Sequence, residues 1–331
     1  MAEMGSMRYY TIEDLEEQLG RKKLSHFIRD NEVGIMSDIA NIAYQAAWDF
    51  DIKAVFISGP TSSGKTTFTE RLSAAFHMHG RPTLQISLDD YYRDGFKPVY
   101  VEERPDFESV YTLDIELFLE QLESLRSGRE TWIPSYNFLT GRREYLEHKK
   151  VRMPPRAIIL IEGLHGLNNA IAGELDRKAY IGVMIMPWAG LASDRKLLGP
   201  RDIRIFRRMS RDVNHRGTSA LSTLDYWPMI DATEAVIFPD YLARADYFVN
   251  SALAYEFMVI PAIACHQLRL ELELYHGGAG HSAFMHLHGD RFIAEESTIK
   301  EAERLLEAAG TLPIISADNI PVNSILNEFI H

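Results

Sequence analysis

Residues 59–66 read GPTSSGKT, and no other stretch of the chain narrows its possible folds as far. The octapeptide fits GxxxxGK[ST], a turn in which glycine lets backbone amides point inward at a polyphosphate, lysine adds a mobile cation, and the final hydroxyl reaches a magnesium ion. Its flanks agree with that use. Ala54, Val55, Phe56, Ile57 and Ser58 form a short apolar run before it, and residues 68–76 carry apolar side chains at helical spacing after it. Strand, loop and helix in that order aim a helix N-terminus at anionic oxygens. The expected nucleotide contacts are Gly59, Pro60, Thr61, Ser62, Ser63, Gly64, Lys65, Thr66 and Thr67, with Lys65 on the transferred phosphate and Thr66 on magnesium.

Charge confines that phosphate affinity to one place. With 35 basic against 47 acidic residues the formal charge is −12, so a nucleic acid would meet repulsion over most of the surface. A hydrophobic content of 46% supports an extensive core, and the single cysteine, Cys265, excludes an internal disulfide and suits a reducing compartment. The first residues show neither the basic start nor the apolar centre of a signal peptide, and no apolar stretch approaches the roughly 20 residues that cross a bilayer. The expectation is a soluble cytoplasmic protein with neither nucleic-acid nor membrane partners.

Hydrophobic periodicity divides the chain in three. Residues 1–50 place Ile35, Ile39, Ile42, Ala43 and Ala46 at helical spacing, which predicts a helical N-terminal segment. Residues 51–252 alternate short β-rich runs with amphipathic stretches, the pattern of an α/β, doubly wound parallel sheet. Strands are expected at 54–58, 83–88, 157–161, 180–186 and 246–249, and helices at 65–78, 114–127, 202–215 and 219–236. Residues 253–331 change to long helical segments, 253–275 and 295–309, and predict a C-terminal extension packed on the sheet domain. The loop between them holds His276, His281, His286 and His288; lacking a second ligand pair at metal-like spacing, it reads as a connection.

In open α/β sheets the ligand sits at the carboxyl ends of the strands. After the second expected strand come Asp89, Asp90, Tyr91 and Tyr92, and a carboxylate there can take the proton of a hydroxyl attacking a terminal phosphate. The third run, Ala157, Ile158, Ile159, Leu160 and Ile161, ends in Glu162. An acid after a wholly apolar strand stands where magnesium is held directly or through water. A further signal is RDIRIFRRMSRDVNHRG from residue 201, in which Arg204, Arg207, Arg208 and Arg211 recur at spacings of three and four. Guanidinium groups on such a helix would concentrate positive potential near a triphosphate and could close as a lid that excludes water. An ordinary solvated helix face, paired internally with Asp202 and Asp212, is the competing reading.

With these residues in place, the chain resembles the uridine kinase and phosphoribulokinase family of phosphate-loop kinases. The resemblance runs over 53–252 and rests on SGPTSSGKTTF, SLDDYY, RPDFESVYTLDIELFLEQL, IPSYNFLTGRR, IILIEGLHGLN, RIFRRMSRDVNHRG and FPDYLARADYFVNSAL. Within the family it is similar to the kinase portion of bacterial nucleoside kinases that carry a threonyl-tRNA-synthetase-like N-terminal region, and it shares their closing NSILNEFI. The resemblance implies a nucleoside-kinase-like P-loop NTPase fold, ATP or GTP as donor, magnesium as cofactor, a small nucleoside or sugar as acceptor, and a homo-oligomer. Asp89 would then be general base on a ribose 5′-hydroxyl, Glu162 a magnesium-associated acid, and Tyr92, Tyr136 and Phe138 contacts of the nucleoside. Arg204 would approach the acceptor or its new phosphate, and Arg207 and Arg211 would belong to the lid.

The sequence departs from that family pattern twice. Where uridine and cytidine kinases carry an aspartate-histidine-proline-aspartate stretch for the ribose hydroxyls, this chain has Glu108, Ser109, Val110 and Tyr111, with Glu108 able to bind a diol. Where they place a pyrimidine-reading histidine, it has Gly141. Transfer of a γ-phosphate to uridine or cytidine is the leading expectation, with another nucleoside or sugar acceptor beside it. A nucleotide-dependent switch is a rival, but the chain lacks the asparagine-lysine-x-aspartate element of guanine-specific switches. A regulatory homologue with weak catalysis would show the same motifs.

Overall fold

The computed structural model describes residues 4–138, 140–192, 196–215, 218–279 and 292–330. Its centre is a five-stranded sheet built from β1 (Ala54–Ser58), β2 (Thr83–Ser87), β3 (Ile158–Gly163), β4 (Tyr180–Met186) and β5 (Tyr247–Asn250), in the order β5-β4-β1-β3-β2. Every pairing is parallel. β1, β3 and β4 are buried along their whole length, which is why they read as continuous apolar runs rather than as alternating patterns. The connection from β1 runs to β2 on one side while that from β3 crosses to β4 on the other, so the direction of winding reverses at β1 and a crevice opens at its carboxyl end.

Helices cover both faces. α1 (Arg21–Ala47) and α2 (Lys65–Met78) pack against each other, α3 (Ile115–Arg126) covers the opposite face, and α4 (Pro200–His215) lies against α5 (Ala220–Arg244) and α6 (Ile260–Leu274). α7 (Glu295–Ala309) packs on α5 and α6. Ile35 and Ile42 of α1, Val55 and Ile57 of β1, Phe206 of α4, Leu268 of α6 and Leu305 of α7 belong to one apolar cluster.

Two expected elements differ in extent. The helix expected at 219–236 continues to Arg244 through Pro239. A proline interrupts the backbone ladder, but Tyr241 in the continued turn is buried and bonded to His165 and Asn168, contacts that hold the helix past the break. The single run expected at 253–275 is a 3-10 turn, Ala254–Met258, followed by α6. Pro261 suits the first turn of a new helix and cannot continue an old one.

Outside the main sheet, Arg8–Tyr10, Ala189–Ala192 and Lys196–Leu198 form a three-stranded sheet. Ser135–Asn137 and Arg142–Glu144 form a hairpin. Among the described residues no helix is long and apolar enough to cross a membrane. His281, His286 and His288 lie outside the described residues.

Candidate active site

The loop after β1 adopts the backbone its glycines permit. Gly64 has φ 89°, and a Cβ at Gly59 would come within 2.1 Å of the Ile185 carbonyl oxygen, so the first glycine is dictated by the neighbouring strand as well as by the turn. Lys65 folds back across the loop, with Nζ 3.1 Å from the Gly59 oxygen and 2.9 Å from the Pro60 oxygen. The Ser62 and Ser63 hydroxyls are buried with no hydrogen-bond partner among the described residues. Buried polar atoms are normally paired, and two orphans in a loop of this pattern fit a site shaped for added oxygen ligands. Thr66 is exposed at the start of α2.

α4 holds this loop from outside. Arg204 donates through Nε to the Thr61 carbonyl at 3.1 Å and pairs with Glu234 at 2.7 Å. Arg207 donates to the Ser62 carbonyl at 3.3 Å, to the Ser251 carbonyl at 2.8 Å, and to both carboxylate oxygens of Glu256 at 2.7 and 3.0 Å. In this structure these bonds hold α4 against the loop rather than apart from it. Ile203, Ile205, Phe206 and Met209 are buried in the core and Arg207 has no exposed surface, so α4 is part of the packed body. Arg211 pairs with its neighbour Asp212 at 2.8 Å.

Two carboxylates converge from the adjoining strand ends. Glu162 closes β3 in register with Ile57 of β1 and Ser87 of β2, and accepts a hydrogen bond from the Ser87 hydroxyl at 2.7 Å. Burial, and after it the like charge of Asp89, lift its carboxyl far above the usual range, to about 7, against the opposing pull of Lys65 and the Ser87 hydrogen bond. Asp89 itself is exposed on the 3-10 turn Leu88–Tyr91. Its neighbour Asp90 is committed elsewhere, accepting from the Tyr136 amide at 3.0 Å and from Lys149 at 2.6 Å. Adjacent acids thus divide into one facing solvent near Glu162 and one fixing the hairpin that carries Tyr136.

Tyr92, three residues after Asp89, lines a cavity of about 310 Å³ together with Phe107, Glu108, Tyr136, Phe138, Arg208 and Tyr226. Ring centroids of Tyr92, Tyr136 and Phe138 are 5.1 to 5.7 Å apart, so the three rings pack on one another as one aromatic wall of the cavity. Glu108 meets Arg208 at 3.3 Å, and Arg208 also donates to Asp212 at 3.1 Å and to the Thr61 hydroxyl at 3.3 Å. Of the α4 arginines, Arg208 reaches the cavity, whereas Arg204, expected beside the acceptor, is bound to Glu234 and the loop. Gly141 turns the hairpin with φ 66°, a left-handed conformation that glycine adopts without steric cost.

Several of these residues escaped sequence reasoning. Phe107 and His165 lie inside the family stretches RPDFESVYTLDIELFLEQL and IILIEGLHGLN but were given no role there, Tyr226 carried no motif, and Arg208 was one of four arginines without a distinguishing mark. Glu328, in the closing NSILNEFI, approaches the Thr67 hydroxyl at 3.5 Å, and Ile325 packs against Gly64.

A family model described as Phosphoribulokinase / Uridine kinase family matches residues 54–252. A uridine kinase of Staphylococcus aureus strain JH9 is 24% identical over 219 residues, covering 65% of this chain and 90% of the relative. Among solved structures, a possible uridine kinase from Bacillus stearothermophilus is 20% identical and covers 60% of this chain and 88% of its own, with TM-score 0.39. A putative fructose transport system kinase from Silicibacter sp. TM1040 is 16% identical and covers 63% and 98%, with TM-score 0.40. The match to the family over the entire sheet domain, with the phosphate loop at its centre, makes this chain a member of the phosphoribulokinase and uridine kinase family of P-loop kinases.

Proposed function

We propose that this kinase transfers the γ-phosphate of ATP or GTP to the 5′-hydroxyl of a nucleoside, with uridine and cytidine the first candidates. The observation that carries the reading is the cavity lined from Tyr92, three residues after Asp89, where Tyr92, Tyr136 and Phe138 would offer aromatic surface to a base and Glu108 a carboxylate to a ribose diol. A phosphorylated sugar would need a cation at its far end. The basic group on this cavity, Arg208, is already balanced by Glu108 and Asp212, which favours an uncharged acceptor. The name of the Staphylococcus aureus relative points the same way.

In this reading Lys65 holds the transferred phosphate and Asp89 removes the hydroxyl proton as the oxygen attacks. The fixed carbonyl contacts from Arg204 and Arg207 keep the loop in shape for the donor phosphates. Arg211 and Asp212 set the charge around Arg208, the arginine nearest the acceptor. Magnesium fits the residues present: the Thr66 hydroxyl is accessible, and Glu162 is a buried carboxyl beside Asp89 whose ionisation a divalent cation would favour. Thr66 and Glu162 would hold it, the latter directly or through water, and the ion would draw charge from the phosphate oxygens as they develop it.

The test is ADP release measured over uridine, cytidine, purine nucleosides, ribulose 5-phosphate and pantothenate. Stimulation by pyrimidine nucleosides supports the proposal. Because Gly141 presents no side chain to a base edge, stimulation by purine nucleosides as well would broaden the acceptor without moving the site. Stimulation by ribulose 5-phosphate alone, or hydrolysis indifferent to every acceptor, would overturn it.

A further inference from the structure

We infer that His165 is a positioning residue for the acceptor, holding the loop that carries Phe107 and Glu108 against the cavity through a directed chain of hydrogen bonds. The inference deepens the proposed function and rests on that reading of the cavity. His165 follows the Glu162 strand end by three residues and is buried. Its Nε2 lies 2.8 Å from the Glu108 carbonyl oxygen, and its Nδ1 lies 2.7 Å from the Tyr241 hydroxyl. A carbonyl oxygen only accepts, so Nε2 carries the hydrogen. In the neutral ring Nδ1 then accepts from Tyr241, whose oxygen takes a hydrogen bond from Asn168 at 3.1 Å. Asn168, Tyr241 and His165 form one line of donors that ends on the Glu108 carbonyl of the acceptor loop.

The ring is kept neutral by burial, which pushes its pKa down to about 4, so the order of donors holds at ordinary pH. The base of the chain is rigid. Ser58, the last residue before the phosphate loop, donates to the Leu164 carbonyl at 3.1 Å and accepts from the Leu167 amide at 2.8 Å. A Cβ at Gly166 would sit 3.2 Å from the Ile57 oxygen and the Ser58 hydroxyl, so this turn lies directly against β1. The other side of the loop is held from α5, where the Tyr226 hydroxyl donates to the Pro105 carbonyl at 2.8 Å and accepts from the Phe107 amide at 3.3 Å. His165 therefore connects the strand that carries the donor site to the loop that carries the acceptor carboxylate. Removing it takes the donor from the Glu108 carbonyl and the acceptor from the Tyr241 hydroxyl, while every phosphate-loop contact stays in position.

The test replaces the ring nitrogens but keeps the ring, in His165→Phe, and separately removes the hydroxyl that orients it, in Tyr241→Phe. In His165→Phe the KM for the accepted nucleoside is expected to rise roughly 10-fold or more, with the nucleotide KM within about twofold of wild type and faster amide hydrogen exchange at residues 107–109. Tyr241→Phe is expected to show a smaller rise of the same kind. Equal changes in both KM values, or unchanged exchange at 107–109 in a folded His165→Phe protein, would overturn the inference. Should His165→Phe not fold, Tyr241→Phe decides: a selective rise in acceptor KM, or faster exchange at 107–109, supports the inference, and neither change refutes it. If the wild-type protein phosphorylates no nucleoside, the proposed function fails on its own account, while the exchange comparison still decides whether His165 holds the loop.

Discussion

Arg207 and Glu256 face each other as a two-pronged ion pair, with contacts of 2.7 and 3.0 Å and neither residue more than 2% exposed. The pair joins α4 to the turn after β5, and the same guanidinium reaches the Ser62 carbonyl. Its work is to hold the phosphate loop, so its loss is felt first in the fold. Arg207→Ala strands a buried carboxylate, a change that typically costs about 3–5 kcal/mol. Denaturant unfolding should show that loss, and Arg207→Lys should restore little of it because an ammonium cannot reproduce the planar fork. A variant of wild-type stability with raised acceptor-independent hydrolysis would instead return Arg207 to a lid.

Gly59 is fixed by the strand beside it. A Cβ would meet the Ile185 carbonyl oxygen at 2.1 Å and the Ser63 hydroxyl at 2.7 Å. The hydroxyl can rotate away, but the carbonyl belongs to β4 and cannot. Gly59→Ala should therefore destabilise the protein and weaken nucleotide binding together, by several-fold or more. Gly80→Ala makes a useful control: there φ is 72° but nothing lies within 4 Å, so it should lower the melting temperature modestly and leave nucleotide binding alone.

The fold was legible where burial is uniform. β1, β3 and β4 are almost wholly apolar because helices cover both faces, and the residues at which the first two runs end, Gly59 and Glu162, mark the crevice. The arginine helix was legible as a helix but not in its bearings. Neighbouring positions on a helix point about 100° apart, so Arg207 enters the core while Arg208 enters the cavity, and only the packing of Ile203, Phe206 and Met209 decides which is which. His165 illustrates a second limit. Its partner Glu108 is 57 residues away in sequence, and a hydrogen bond to a backbone carbonyl leaves no trace in the identity of the partner residue.

Asp89 and Asp90 should respond differently to the same amide substitution. Asp89→Asn removes the proposed proton acceptor at an exposed position, so the chemical step should slow by roughly 100-fold or more while nucleotide affinity stays near wild type. Asp90 holds the Tyr136 amide and Lys149, so Asp90→Asn should raise the acceptor KM with a smaller effect on the step itself. Single-turnover kinetics at saturating acceptor separate the two. Near-normal turnover in Asp89→Asn would remove it from the base role, and Lys65→Ala should lose nucleotide use altogether.

Glu162 links catalysis to stability through pH. Burial and the charge of Asp89 raise its folded pKa to about 7 from an ordinary 4.5, so the folded state keeps a proton that the unfolded chain releases. The stability this supplies is complete below pH 4.5 and is lost as pH rises through 7, a change on the order of 3 kcal/mol. Glu162→Gln has no such proton to lose. In magnesium-free buffer it should be more stable than wild type above pH 7, and the advantage should shrink as pH falls toward 4.5. His165 runs the other way: its pKa falls to about 4 from 6.5, so its contribution is lost as pH falls through that interval. The two slopes partly cancel in the wild-type protein, and only the difference between wild type and Glu162→Gln isolates the carboxyl. Urea unfolding of both at pH 5, 6, 7 and 8 measures that difference, and a constant gap across the series would show that Glu162 does not titrate in this window.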